Sequence, residues 1–184
     1  SGVLPWYPPE EGGTILHQVS YSFDVSGCAV YAGLARGMAL FTVEKALARD
    51  YRRLFDALGG SGLTFWASTP SFAELCLASG RFRQELLPEQ RQFLFCGEVL
   101  THALCDALAE RFPLARVVNT YGPTEAAVLV TAEEGTPELR RDGRSIPIGR
   151  PIRGTVLRLT GEDGEEISAD GVPGELCILG PSVG

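Results

Sequence analysis

The sequence predicts an α/β fold: a largely parallel sheet flanked by helices, followed by a small β-rich C-terminal subdomain. Three observations predict it. Short apolar runs of strand length alternate with stretches whose apolar residues recur at helical spacing, the order that builds parallel sheets. Gly and Pro punctuate the joins. From about Ile146 the helical period gives way to alternation and glycine turns. Residues 1–145 are therefore expected to form the α/β unit and residues 146–184 the small β-rich one.

Taken in order, residues 1 to 13 are rich in Pro, Gly and Glu and read as an irregular lead-in. Thr14 to Val19 reads as a strand, and Ser22 to Ser26 feeds a short helix through Tyr31 and Leu34 that ends near Gly37. Ala39 to Val43 is the next strand. Beyond Glu44, Leu47, Tyr51, Leu54, Phe55 and Leu58 form one apolar stripe, so a single amphipathic helix is expected up to Gly59-Gly60. Leu63 to Ala67 is a strand. Pro70 suits the first turn of a helix through Leu77, where its missing N–H has no partner to lose. Gln92 to Phe95 is a strand ending on Cys96-Gly97. Leu100, Leu104, Leu108 and Phe112 then repeat every four residues, a second amphipathic helix that Pro113 closes. Leu114, Val117 and Val118 mark a buried strand, and the apolar run Ala126 to Val130 predicts a further regular element. At the C-terminal end Thr155 to Leu159 alternates, Gly161 to Gly164 turns, and Gly174 to Leu179 is a strand.

Bulk properties narrow the function. At 184 residues the chain can bury one respectable core. A net charge of −7 argues against a nucleic-acid surface, which needs a basic footprint. No apolar run approaches the ~20 residues of a membrane span, and Ser1 to Trp6 has neither the basic nor the apolar region of a signal peptide. Five cysteines make an odd count with no Cys-x-x-Cys pair, and His17 and His102 are far apart, which disfavours a structural zinc site. The cysteines read as small buried hydrophobes in a reducing compartment, so a cytoplasmic setting is expected.

The chemistry concentrates in Asn119-Thr120-Tyr121-Gly122-Pro123-Thr124-Glu125. A strand followed by a glycine-bearing turn is where α/β proteins place ligands. Asn119 and the Tyr121 ring can address a base, Thr124 can donate to a phosphate oxygen, and Glu125 is a hard oxygen ligand suited to Mg²⁺. A polar turn between strands accounts for the same residues without function. Upstream, Asp24 stands at the entry to a helix, where a carboxylate can cap the helix or meet a ligand ammonium. Cys96 and Gly97 end one strand as Asn119-Thr120 ends another, so the two termini can share a crevice. No basic neighbour in sequence activates Cys96 as a nucleophile.

The Asn-x-Tyr-Gly-Pro-Thr-Glu string resembles a core signature of the acyl- and aminoacyl-adenylate-forming enzymes. Tyr21-Ser22-Phe23-Asp24-Val25-Ser26 is similar to that family's Phe-Asp-x-Ser signature. Gly174 to Gly180 is similar to its Gly-Glu-Leu-x-Ile-x-Gly strand. Three signatures in the family's order span nearly the whole chain. Ala67-Ser68-Thr69-Pro70-Ser71-Phe72 and Phe93 to Leu100 resemble the D-alanine–D-alanyl carrier protein ligases more narrowly. Related nonribosomal peptide adenylation domains usually carry a small residue in place of Cys96.

The resemblance implies an activity that uses ATP and Mg²⁺ on D-alanine, then passes the aminoacyl group to a phosphopantetheinylated D-alanyl carrier protein for teichoic acid esterification. It implies that Asp24 holds the substrate ammonium and that Cys96 packs beside the substrate side chain. Val25, Cys28, Leu94, Gly97, Thr120, Gly122, Val128 and Leu129 would border the same pocket. Asn119, Tyr121 and Thr124 would face the nucleotide, with Thr124 at the α-phosphate and Glu125 at Mg²⁺. Val25-Ser26-Gly27-Cys28 departs from the more usual Leu-Ser-Val-Met. The family's phosphate loop would precede Ser1, and its ribose-binding aspartate and lysine-bearing lobe would follow Gly184. The chain is thus expected to be an internal piece of a ligase lobe, inactive alone. Two rivals stand beside it: a peptide-synthetase domain for another small amino acid, and a non-catalytic binding module.

Overall fold

In the computed structural model, residues 12–141 and 145–184 are described. Most of the expected irregular lead-in lies outside them. Seven strands form the main sheet: β1 (Thr14–His17), β2 (Ala39–Thr42), β3 (Leu63–Ser68), β4 (Gln92–Phe95), β5 (Arg116–Tyr121), β6 (Thr131–Glu134) and β7 (Arg150–Pro151). Their order is β2-β1-β3-β4-β5-β6-β7. The first five run parallel, β6 is antiparallel to β5, and β7 is antiparallel to β6. The predicted class, a largely parallel sheet with helices, is therefore what forms.

The chain leaves β1 toward β2 and then returns past β1 to lay down β3. That reversal makes a topological switch point, where α/β sheets open a crevice at the carboxyl ends of their strands. Period two along each strand divides the core between the two faces. Ile15, Phe65, Ala67, Leu94 and Cys96 pack under helix α1 (Ser26–Ala35) with its Cys28 and Ala29. Leu16, Trp66, Phe93 and Phe95 pack on the other face. There they meet the buried sides of α3 (Tyr51–Gly59), α4 (Pro70–Leu77) and α5 (His102–Arg111). This larger core is aromatic: Phe82 stands edge-on to Phe112 with ring centroids 4.8 Å apart, and Trp66 lies 5.0 Å from Phe82. Each such pair contributes about 0.5–1.5 kcal/mol beyond its buried area.

The stripe from Leu47 to Leu58 is two helices, α2 (Lys45–Ala48) and α3, rather than one. Asp50 separates them: its extended backbone lets the carboxylate accept from the Arg53 N–H at 3.1 Å. A short carboxylate stabilises a helix start better than a helix interior, so the sequence breaks there while the apolar spacing continues across the break. Thr101 caps α5 in the same way, accepting from the Leu104 N–H at 3.2 Å.

The run Ala126 to Val130 forms no helix or strand of its own beyond a 3₁₀ turn at Thr124–Ala126. Ala127 and Val128 take positive φ, 54° and 77°, and β6 begins only at Thr131. Ala126, Leu129 and Val130 are nonetheless buried. Apolar composition there reports burial, not extension.

A short helix, α6 (Pro137–Arg140), follows β6. The shift in character at Ile146 comes while the chain still belongs to the main sheet: Ile146 is in the larger core and β7 pairs with β6. The separate two-stranded antiparallel sheet consists of β8 (Val156–Thr160) and β9 (Glu175–Leu179). No helix among the described residues is long and apolar enough to cross a membrane.

Candidate functional site

Beneath α1 the chain gathers residues from segments far apart in sequence. Val25 and Cys28, Leu94 and Cys96, Val128 and Leu129 all belong to one apolar cluster. Cys96 is 1% exposed and its thiol points at the Val128 carbonyl oxygen, 3.8 Å away. Burial pushes the thiol pKa up. The nearby Thr120 hydroxyl and the Gly97 backbone oppose the rise, and the Asp24 carboxylate adds to it. The group is therefore a neutral thiol, not a thiolate nucleophile. Gly97, with φ of 88°, lets the chain turn from β4 close to Val25.

Asp24 precedes α1, but the N-cap is Val25 and no side chain caps the helix. The residue is half-buried, and its neighbour Val25 packs against the apolar cluster that contains Cys96. It makes no ion pair or side-chain hydrogen bond among the described residues. The capping alternative is thus removed, and a carboxylate remains beside a small apolar pocket.

Alternation along β5 distributes the signature between two environments. Thr120 is buried and its Oγ1 donates to the Phe95 carbonyl at 2.6 Å, tying β5 to β4. Asn119 is also buried. Its Nδ2 donates to the Ile146 and Pro147 carbonyls at 3.0 and 2.9 Å. The amide nitrogen expected for a base is committed to holding the 145–148 segment. That segment, Tyr121, Val99 and Glu98 line a cavity of about 500 Å³ with Asn119 at its floor. Tyr121 stands half-exposed at its rim.

Thr124 and Glu125 sit exposed in the 3₁₀ turn beyond β5. Gly122 makes that turn possible, since a Cβ there would overlap the Val128 carbonyl oxygen. No cluster of three or more His, Cys, Asp and Glu among the described residues could hold a metal. Glu125 alone fits Mg²⁺ that arrives on phosphates, because that ion keeps its waters and needs only one or two carboxylates.

Three features escape the sequence reading. Glu98 accepts from both the Ser71 N–H and the Ser71 Oγ at 3.0 Å, fastening the start of α4 across 27 residues. Asn119's tie to 146–147 spans a similar separation. Neither has a local signal. Val128's left-handed backbone has a faint one: a close approach at Gly122, six residues before it.

Comparison with known proteins agrees in extent and kind. The family model described as AMP-binding enzyme matches residues 4–184. The chain is 44% identical over 177 residues to the D-alanine–D-alanyl carrier protein ligase of Bacillus licheniformis, covering 96% of this chain and 35% of that protein. The crystal structure of IdnL1 superposes with a TM-score of 0.84 at 28% identity, over 99% of this chain and 37% of that one. A Vibrio cholerae adenylation domain, AlmE, in complex with glycyl-adenosine-5'-phosphate, gives 0.79 at 26%, over 95% and 33%. The chain spans about a third of the length of the curated relatives it matches. With a family match over nearly its whole length and the signature at the carboxyl ends of a parallel sheet, this chain belongs to the AMP-binding enzyme family.

Proposed function

We propose that this chain forms the amino-acid pocket of an ATP-dependent ligase that adenylates D-alanine and transfers it to the phosphopantetheine thiol of a D-alanyl carrier protein, for teichoic acid D-alanylation. The observation that carries the reading is the pocket under α1: a half-buried residue, Asp24, without an ion pair or side-chain hydrogen bond among the described residues, adjoining Val25 and the small apolar cluster that holds Cys96. A zwitterion with a methyl side chain fits that chemistry. The ammonium offsets the cost of leaving Asp24 ionised, and Cys96 with Val128 bounds the methyl. Burying one methyl gains only ~1 kcal/mol, so discrimination rests on which enantiomer clashes with that wall.

In the first step a substrate carboxylate oxygen bonds to the α-phosphorus of ATP and the bond to pyrophosphate breaks. In the second the carrier thiol gives up its proton, its sulfur bonds to the acyl carbon, and AMP leaves. Mg²⁺ would supply charge neutralisation on the phosphates. The chain's own contribution is positioning. Asp24 orients the ammonium, and Thr124 donates its hydroxyl toward the α-phosphate. Glu125 offers one carboxylate to the metal, while Tyr121 offers a ring face to the base. The cytoplasm, where ATP is available, is the proposed location.

Amino-acid-dependent ATP–pyrophosphate exchange by the full-length protein tests this, comparing D-alanine with L-alanine, glycine and L-serine. Strong D-alanine preference is the expected result; preference for another of these, or no exchange at all, overturns it.

A further inference from the structure

Helix α4 starts without a local cap. Thr69 stands at its N-cap with the extended backbone that capping needs, yet its side chain accepts nothing from the helix. The Thr69 Oγ1 lies 3.0 Å from the Ser71 Oγ instead. The helix start is fastened from 27 residues away, by the two Glu98 carboxylate oxygens on the Ser71 N–H and Oγ. Threonine caps helices well, so a local bond could satisfy a first-turn N–H without help from a distant carboxylate. What the distant bond adds is a tie between α4 and the segment that follows β4.

That segment has little else to hold it. Gly97 stands at φ of 88°, Val99 is 71% exposed, and Glu98 is the one polar side chain of residues 97–100. Leu100 sinks into the larger core and anchors the far end. Residues 97–100 form one wall of the cavity of about 500 Å³, and 145–148 form another. The walls are joined: the Ile146 N–H donates to the Leu100 carbonyl at 2.9 Å, and Thr101 bridges Ser145. Asn119 at the floor holds the Ile146 and Pro147 carbonyls. A shift of 97–100 away from α4 would therefore carry 145–148 with it or break that join. With both oxygens directed to Ser71, the Glu98 carboxylate fixes the wall rather than offering its charge to the cavity.

Resting on the adenylating function above, we propose that Glu98 is a positioning residue for the nucleotide: its grip on Ser71 sets the 97–100 wall of the cavity at whose rim Tyr121 offers its ring. The test uses the full-length protein, with ATP affinity read by calorimetry and the KM values for ATP and D-alanine read by pyrophosphate exchange. Glu98→Ala should weaken ATP binding and raise the KM for ATP about fivefold, the worth of one net hydrogen bond. Its kcat and its KM for D-alanine should stay within about twofold of the wild type, a split that a merely structural role would not produce. Glu98→Gln, which can accept from the Ser71 N–H and donate to its Oγ, should restore the wild-type values. Ser71→Ala should raise the KM for ATP by itself but add nothing to Glu98→Ala, because the two side chains act as one pair. Ser71 is exposed, so this variant decides the matter if Glu98→Ala does not fold. An unchanged KM for ATP, a loss shared equally by ATP, D-alanine and kcat, or fully additive effects overturns the proposal and leaves the adenylation reading in place. A wild type that exchanges pyrophosphate with no amino acid overturns that reading instead. Calorimetry then decides alone, and equal ATP affinity of wild type and Glu98→Ala, or none in either, overturns the role of Glu98.

Discussion

At Asp24 a single oxygen-for-nitrogen exchange separates charge from shape. Asp24→Asn should raise the KM for the amino acid about 10- to 100-fold, the worth of one hydrogen bond to a charged group, and change that for ATP by no more than a few fold. Equal loss for both substrates would remove the ammonium role. Asn119 offers the opposite case, a signature residue whose amide holds the fold. Asn119→Ala leaves the Ile146 and Pro147 carbonyls without a donor. It should cost about 2–3 kcal/mol of stability in urea denaturation, and an unchanged midpoint would show that water replaces the amide. At Cys96, a larger residue such as phenylalanine should exclude the methyl group or invert the D/L preference, and unchanged discrimination would remove its wall from the specificity argument. The residue types at these positions were legible in the sequence. Which hydrogen bonds they had already formed was not, because those bonds join segments about 25 residues or more apart.

The elements differ in how much of their geometry local sequence dictates. Strand β4 and helix α4 end where composition says they should, since glycine, proline and the apolar period agree there. The 45–59 stripe misled because the apolar spacing runs on across the Asp50 cap. The 126–130 run misled because apolar content fixes what is buried, whereas the hand of the backbone is fixed by Gly122 lying under the Val128 carbonyl. A β-branched residue at φ of 77° is strained by about 1–3 kcal/mol, and surrounding contacts must hold it there. Gly122→Ala should force that carbonyl away from the Cys96 thiol. The expected outcome is a fall in amino-acid affinity together with a stability loss of about 1–3 kcal/mol; unaltered substrate discrimination would show that the turn does not shape the pocket.

Over the molecule as a whole, the buried neutral His17 gives stability a pH dependence. Its folded pKa lies below 6.5, so the unfolded chain binds the proton more readily. Its contribution is fully present above about pH 6.5 and is lost as the pH falls through the lower, folded value. Glu44 and Lys45 line one cavity with His17 and Tyr21 lies against the ring, so a His17 variant and the wild type must be compared directly. Between pH 7 and pH 5 the His17→Phe protein should lose less stability than the wild type; parallel curves would mean the ring titrates as in the unfolded chain. The segment from Ile152 to the last residue is anchored at both ends. The Ile152 N–H donates to Val130, and the Gly184 N–H donates to the Glu125 carbonyl at 2.8 Å. Between these anchors β8 and β9 pair over five residues, and the connection at 162–174 is almost wholly exposed. A protease that cuts this connection would therefore release nothing: the two products should co-migrate on a native gel and part only in denaturant.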